Sequence, residues 1–205
     1  MQRGPTTRTR RARRLPRAFY RRDPLDLAPE LLNKVLRLGT RAGRIVEVEA
    51  YHGALDPASH AFRGETTRNA TMFGPPGGLY VYFTYGMHWC ANVVGDEEGV
   101  AGAVLLRALE PLRGLDQMAI ARPAARRERD LCSGPAKLCQ AFGIDRTFDG
   151  ADLPTASRGV TIVDDGVAPP AAPGISGRIG INAGAEAPWR WYVKGDVNVS
   201  GRQRS

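Results

Sequence analysis

Two stretches of this chain can only be read as paired strands. In VLRLGTRAGRIVEVEAYHG (35–53), two strand-forming runs flank GTRAG. That connection is too short for a helical crossover, so the strands must run antiparallel. LYVYFTYGMHWCANVV (79–94) is rich in aromatic and β-branched residues, and Gly86 permits a tight turn in its middle. AGAVLLRALEP, GVTIV, GRIGIN, WRWYVKG and VNVS read as further strands. PLDLAPELLNKVL (24–36) reads as a short helix with Asp26 as its N-cap and Leu27, Leu31, Leu32 and Val35 on one face. GLDQMAIAR is a second helix. CSGPAKLCQAFGID is a third, capped by Ser133 and stopped by Gly143. No repeat and no alternation of strand and helix appears. The expected class is α+β: a single domain, mainly antiparallel β-sheet with short surrounding helices.

The charge is unevenly placed. Residues 1–22 hold nine arginines and no acid, while the remainder carries 20 Lys and Arg against 21 Asp and Glu. Such a leader cannot bury enough apolar area to fold alone. The expected organisation is a disordered basic arm over 1–19 and a folded domain over 20–205. The arm suits a tether to phosphate backbones, and equally a solvated tail or targeting leader. No apolar run approaches the ~20 residues of a membrane span. The three cysteines, Cys90, Cys132 and Cys139, show no C-x-x-C pair, which fits a reducing compartment and core packing. A soluble intracellular protein is expected, nucleoid-associated if bacterial.

Two stretches carry chemistry. In IVEVEAYHG (45–53), strand periodicity places Ile45, Glu47, Glu49 and Tyr51 on one face and Val46, Val48 and Ala50 on the other, the expected core face. Surface acids are the ordinary reading of Glu-x-Glu in a strand. Here Tyr51 shares the face, and the strand runs into a long Gly/Pro-rich connection (53–78) that carries His60, Arg63 and Arg68. Connections of that length are often functional. A carboxylate among aromatic rings suits general-base work or stabilisation of a developing positive charge. In the second stretch, Phe83 and Trp89 read as core, while Tyr85 and Met87 fall at the hairpin tip, the placement of side chains that wedge between base steps. His88 and Cys90 lack partners at zinc spacing, and GPPGG lacks the Lys-Ser/Thr of a phosphate loop. No metal and no cofactor is expected.

IVEVEAYHG, SHAFRG, TRNATMFGPPGGLYVYFTYGMHWCANVV, VLLRALEP, SGPAKLCQAFGI and RWYVKGDVNVS together resemble the single-domain 3-methyladenine (alkyladenine) DNA glycosylases, over about residues 20–201. The resemblance implies a monofunctional glycosylase that everts damaged purines from duplex DNA and hydrolyses the N-glycosidic bond, without cleavage at the abasic site. By the same resemblance Glu49 is the general base, with Glu47 its neighbour, and Arg107 lies near the attacking water. Tyr51, His60 and Tyr82 line the base pocket, Asn92 obstructs the guanine amine, and Tyr85 fills the gap left in the duplex. His88, where an aromatic residue is expected, and the acidic loop after Val94 depart from the pattern. The chemistry agrees with the assignment. Alkylated purines carry positive charge, which aromatic faces favour by ~0.5–2 kcal/mol per good contact. The nearest lysines to these motifs are Lys34 and Lys137, so a Schiff-base route lacks an obvious nucleophile. The expected partner is double-stranded DNA containing damaged purines, alkylated, deaminated or etheno, bound by a monomer. The rival readings are a non-catalytic damaged-DNA-binding protein of the same fold and a hydrolase of free nucleosides.

Overall fold

A computed structural model describes residues 12–201. Within that range ten strands, all paired antiparallel, form one curled sheet flanked by four short helices, giving the expected α+β class. The elements are β1 (Arg13–Arg14), α1 (Arg17–Tyr20), α2 (Pro24–Leu31), β2 (Val35–Leu38), β3 (Arg41–Tyr51), β4 (Gly78–Thr84), β5 (His88–Val94), β6 (Ala103–Arg113), α3 (Leu115–Ala121), α4 (Pro135–Phe142), β7 (Ala151–Asp152), β8 (Val160–Asp164), β9 (Gly174–Ser176) and β10 (Arg190–Tyr192). The strand order is β1-β8-β2-β3-β6-β5-β4-β7, with β10 joining β3 to β9.

The centre of the sheet is β3. One edge pairs with β6 along nearly its whole length. The other is shared, β2 taking Arg41–Arg44 and β10 taking Glu47–Glu49. Both edges of β3 are therefore paired, and from Ile45 to Ala50 every residue is buried. The main core lies on one side, where Ile45, Val48 and Ala50 meet Leu27, Leu31, Leu106, Leu109 and Phe142.

Simple alternation fails at one point of β3. Ile45, expected beside the glutamates, sits in the main core. Val46, expected in that core, packs instead with Ala108, Tyr192 and Val199. The register explains the swap. Between Ile45↔Leu109 and Glu47↔Ala108 the extra residue is Val46, and between Glu47↔Ala108 and Val48↔Leu106 it is Arg107. These two compensating bulges turn adjacent residues to one side and aim Arg107 at the glutamate face.

Several other expectations shift. Helix α2 is capped by Asp23, whose carboxylate accepts from the Leu25 amide at 2.7 Å, with Pro24 in the first turn; Asp26 lies inside. The helix ends at Leu31 because Val35 and Leu36 join the sheet. The N-cap of α4 is Gly134, not Ser133, and Gly143 closes it in the left-handed conformation expected of it. GRIGIN and VNVS form no strand; their backbone groups bind the glutamates of β3 instead, through the amides of Ile179 and Ser200. Residues 12–19 of the expected arm are built into the body: Arg13 and Arg14 pair with β8, and Leu15 is buried. Arg17 binds Asp152 at 3.0 Å. The first eleven residues, with the rest of that arm, lie outside the described part. Cys90, Cys132 and Cys139 are free and buried.

Candidate active site

Glu47 and Glu49 are both 0% exposed. Burying a carboxylate costs several kcal/mol unless partners replace its water, so the partners define each role. Glu47 Oε1 accepts from Arg107 Nε (2.9 Å), Arg190 Nε (2.7 Å) and the Ser200 hydroxyl (2.9 Å), and its Oε2 accepts from the Ser200 amide (2.6 Å). Two guanidinium groups and the 198–200 segment thus converge on one carboxylate.

Glu49 has a different set. Its Oε2 accepts from the Tyr51 hydroxyl at 3.0 Å and lies 3.1 Å from Arg107 Nη1, while its Oε1 accepts from the Ile179 amide at 2.7 Å. Burial pushes the Glu49 carboxyl above its ordinary value. Arg107, the Ile179 amide and the Tyr51 hydroxyl pull the other way, and the Glu47 charge adds a smaller upward push. Repulsion between the two carboxylates is thus present, but desolvation dominates. For Arg107, burial alone would lower the pKa; Glu49 and Glu47 outweigh it and hold the guanidinium charged.

Tyr51 connects this cluster to a cleft that is open to solvent at one side. Tyr51, His60, Tyr82 and Asn92, all singled out in the sequence, line it together, and Tyr80 and Met72 complete its inner wall. His60 Nδ1 lies 2.9 Å from the Tyr80 hydroxyl, its ring 4.4 Å from that of Tyr82, and Tyr80 stacks on Tyr82 at 5.4 Å. Desolvation and the nearby Arg68 charge lower the His60 pKa, favouring the neutral ring. Burial raises the Tyr80 hydroxyl to about 12. The long connection is held by Asn69, whose amide donates to the carbonyls of His60 (2.8 Å) and Gly64 (3.0 Å). Asn92 donates to the Tyr80 carbonyl at 3.1 Å.

Glu49 does not itself form the cleft surface. It lies one hydrogen bond behind it, covered by Tyr51 and by the backbone of residues 179–181, of which Gly180 and Ile181 are part of the wall. That segment was missed as a site component because GRIGIN alternates like a strand. At the mouth, the β4–β5 hairpin turns through Tyr85 and Gly86, both at positive φ (50° and 67°), and leaves Tyr85 78% and Met87 68% exposed. A tyrosine in the left-handed region is uncommon, and such conformations cluster at functional sites. Phe83, expected in the core, is 44% exposed and rests on half-buried Trp89 beside this tip. His88 is exposed, and among the described residues no group of His, Cys, Asp or Glu is placed to hold a metal ion. The acidic loop is partly neutralised, since Glu97 binds Arg21 at 3.1 Å.

The methylpurine-DNA glycosylase family model matches residues 18–197. The chain belongs to that family. A relative from Burkholderia lata is 61% identical over 188 residues, covering 91% of each chain. One from Carboxydothermus hydrogenoformans is 47% identical over 195 residues, covering 91% of this chain and 98% of its own. One from Streptomyces avermitilis is 45% identical, covering 91% and 90%. All three carry the name "Putative 3-methyladenine DNA glycosylase". Membership in a DNA-glycosylase family gives the aromatic cleft and its buried acid a chemical context, hydrolytic repair of damaged DNA. Among the described residues no helix is long and apolar enough to cross a membrane.

Proposed function

We propose that this chain is a monofunctional glycosylase that everts an alkylated purine from duplex DNA, acts as a monomer and hydrolyses the N-glycosidic bond. One observation carries the reading: a fully buried carboxylate, Glu49, reaches a cleft of aromatic rings through the hydroxyl of Tyr51. The everted base enters between Tyr51 on one side and His60 and Tyr82 on the other. Their faces favour a cationic alkylpurine over a neutral one. Asn92, part of the cleft lining, blocks the exocyclic amine of guanine in this reading. Tyr85, with Met87 beside it, fills the space left in the duplex, and Arg68, which donates to the Phe83 carbonyl at 3.3 Å, flanks the mouth.

Bond cleavage leaves its electron pair on the purine and builds positive charge on the sugar. The Glu49 carboxylate offsets that charge and takes the proton of the Tyr51 hydroxyl, which in turn takes one from the water whose oxygen bonds to C1′. Arg107 favours the ionised form of Glu49 and holds the carboxylate in place. Among the described residues no lysine lines the cleft, and Lys34 is buried against Asp164 at 3.3 Å; the abasic product therefore leaves with its strand intact. Deaminated and etheno purines, being neutral, are poorer leaving groups and react more slowly in the same cleft. The arginines of residues 1–11 act as a tether to phosphates. Their deletion makes the affinity less dependent on salt, by about 0.9 in the log–log slope for each phosphate they neutralise.

The test is single-turnover excision from duplexes bearing 3-methyladenine, 7-methylguanine, hypoxanthine or ethenoadenine, scored by alkali cleavage. Release of alkylpurines by the native protein, and release about 10²–10⁴-fold slower by Glu49→Gln, is the expected result. Alkali-independent nicking would contradict the monofunctional reading, and absence of any abasic product would leave a damage-binding protein.

A further inference from the structure

A buried ion pair behind the cleft takes no part in the chemistry above. Arg178 and Asp56 have fully buried side chains, and Arg178 Nη2 donates to Asp56 Oδ1 at 2.7 Å. Arg178 also donates to the carbonyls of Ala50 (3.0 Å) and Gly184 (3.2 Å). Its guanidinium sits over two rings, Tyr51 at 4.7 Å and Trp189 at 5.0 Å from the ring centres. Asp56 in turn accepts from the amides of Ala58 (3.0 Å) and His52 (3.3 Å). The pair therefore joins four pieces: the end of β3, the start of the long connection, the Tyr51 ring and the 177–188 segment.

The two oxygens of Glu49 are held by groups that Arg178 holds. Oε2 takes the hydroxyl of Tyr51, whose ring Arg178 covers, and Oε1 takes the amide of Ile179, the next residue in the chain. We propose that Arg178, locked by Asp56, is a positioning residue that sets the plane of Tyr51 and the bite of the 178–181 backbone on Glu49, and so the reactive geometry of the cleft. Only arginine does both tasks, because its planar fork pairs with a carboxylate while its face stacks on a ring. Gly177 supports the arrangement, since a Cβ there would meet the Ala185 carbonyl oxygen at 2.5 Å.

This inference rests on the glycosylase reading, and the experiment separates the two. Arg178→Lys and Asp56→Asn are compared with the native chain in single-turnover excision of 7-methylguanine. The maximal rate constant, the half-saturating enzyme concentration, the active fraction and the melting temperature are measured for each. The expected result is a maximal rate about 10–100-fold lower, the scale of a misplacement near 1 Å. The half-saturating concentration and the active fraction of the folded variants should match the native chain, with the milder loss in Asp56→Asn. A native maximal rate per active molecule with a lowered active fraction or melting temperature would make the pair a stability element and overturn the proposal. So would loss of folding in both variants. No excision by the native chain defeats the glycosylase reading and this inference with it; native excision with unaffected variants defeats this inference alone.

Discussion

Glu47 and Glu49 stand two residues apart on the same face of β3, equally buried and sharing Arg107. Their surroundings differ in kind. Glu47 is enclosed by two guanidinium groups and by the amide and hydroxyl of Ser200, all groups that tie the protein to itself. Glu49 shares one guanidinium, and its other partners, Tyr51 and Ile179, belong to or adjoin the wall of the cleft. Identical side chains thus meet opposite surroundings, and in the proposed reaction they take opposite roles. The fully compensated acid holds remote segments together. The acid left with a raised pKa beside a cavity is fitted for proton transfer.

That contrast is broken most readily at Glu49. Glu49→Gln should lower the single-turnover rate by about 10²–10⁴-fold, the range of general-base contributions, with little change in urea-induced unfolding. An equal loss of folding would make both glutamates structural. Glu47→Gln should do the reverse. Leaving Arg190 in the interior without a carboxylate, and Arg107 with Glu49 alone, costs about 3–5 kcal/mol, visible as a lowered urea midpoint. Excision per folded molecule should fall far less than in Glu49→Gln; an intact midpoint would remove the distinction.

The pH profile sharpens the comparison further. A general base works only when deprotonated, and the Glu49 carboxyl titrates above its ordinary value because of burial. The excision rate of a cationic lesion should therefore fall with acid through an apparent pKa above the ~4.3 of an unperturbed glutamate. A limb at or below that value would mean that Arg107 and the hydrogen bonds outweigh desolvation. The smallest effect belongs to a half-exposed pair outside the site. For His52, burial acts to lower the pKa, but the 2.8 Å bond to Asp23 and that residue's charge more than offset it, leaving the pKa raised. Its stabilisation is fully present below the unfolded value, ~6.5, and is lost as pH rises through the folded value. Native protein should lose a little melting temperature on passing from below that value to above the raised one, and His52→Gln should lose the dependence.

The hairpins and the antiparallel pairing around β3 were legible because period-2 patterns and turn glycines are local signals, whereas the cleft residues were singled out through the family resemblance. Tyr85 and Met87 stand at the tip that Gly86 implied. Illegible were the paired bulges, because the extra residue on one strand is compensated on its partner. Ile179 and Ser200 looked like strand residues, yet their amides bind carboxylates more than 100 positions away. Phe83 read as core because hydrophobicity alone does not tell which face of a hairpin meets solvent.

By itself, the sequence determined an antiparallel sheet, a glutamate pair on one face of a strand and a cluster of aromatic residues in the strand after a long connection. Those follow from residue type and spacing. Only the tertiary structure decided which glutamate is closed off by arginines and which adjoins the cleft, because a carboxylate's chemistry is set by desolvation and by the donors that reach it. Here those donors come from segments remote in sequence, Ile179 and Ser200 among them, that folding alone brings to β3.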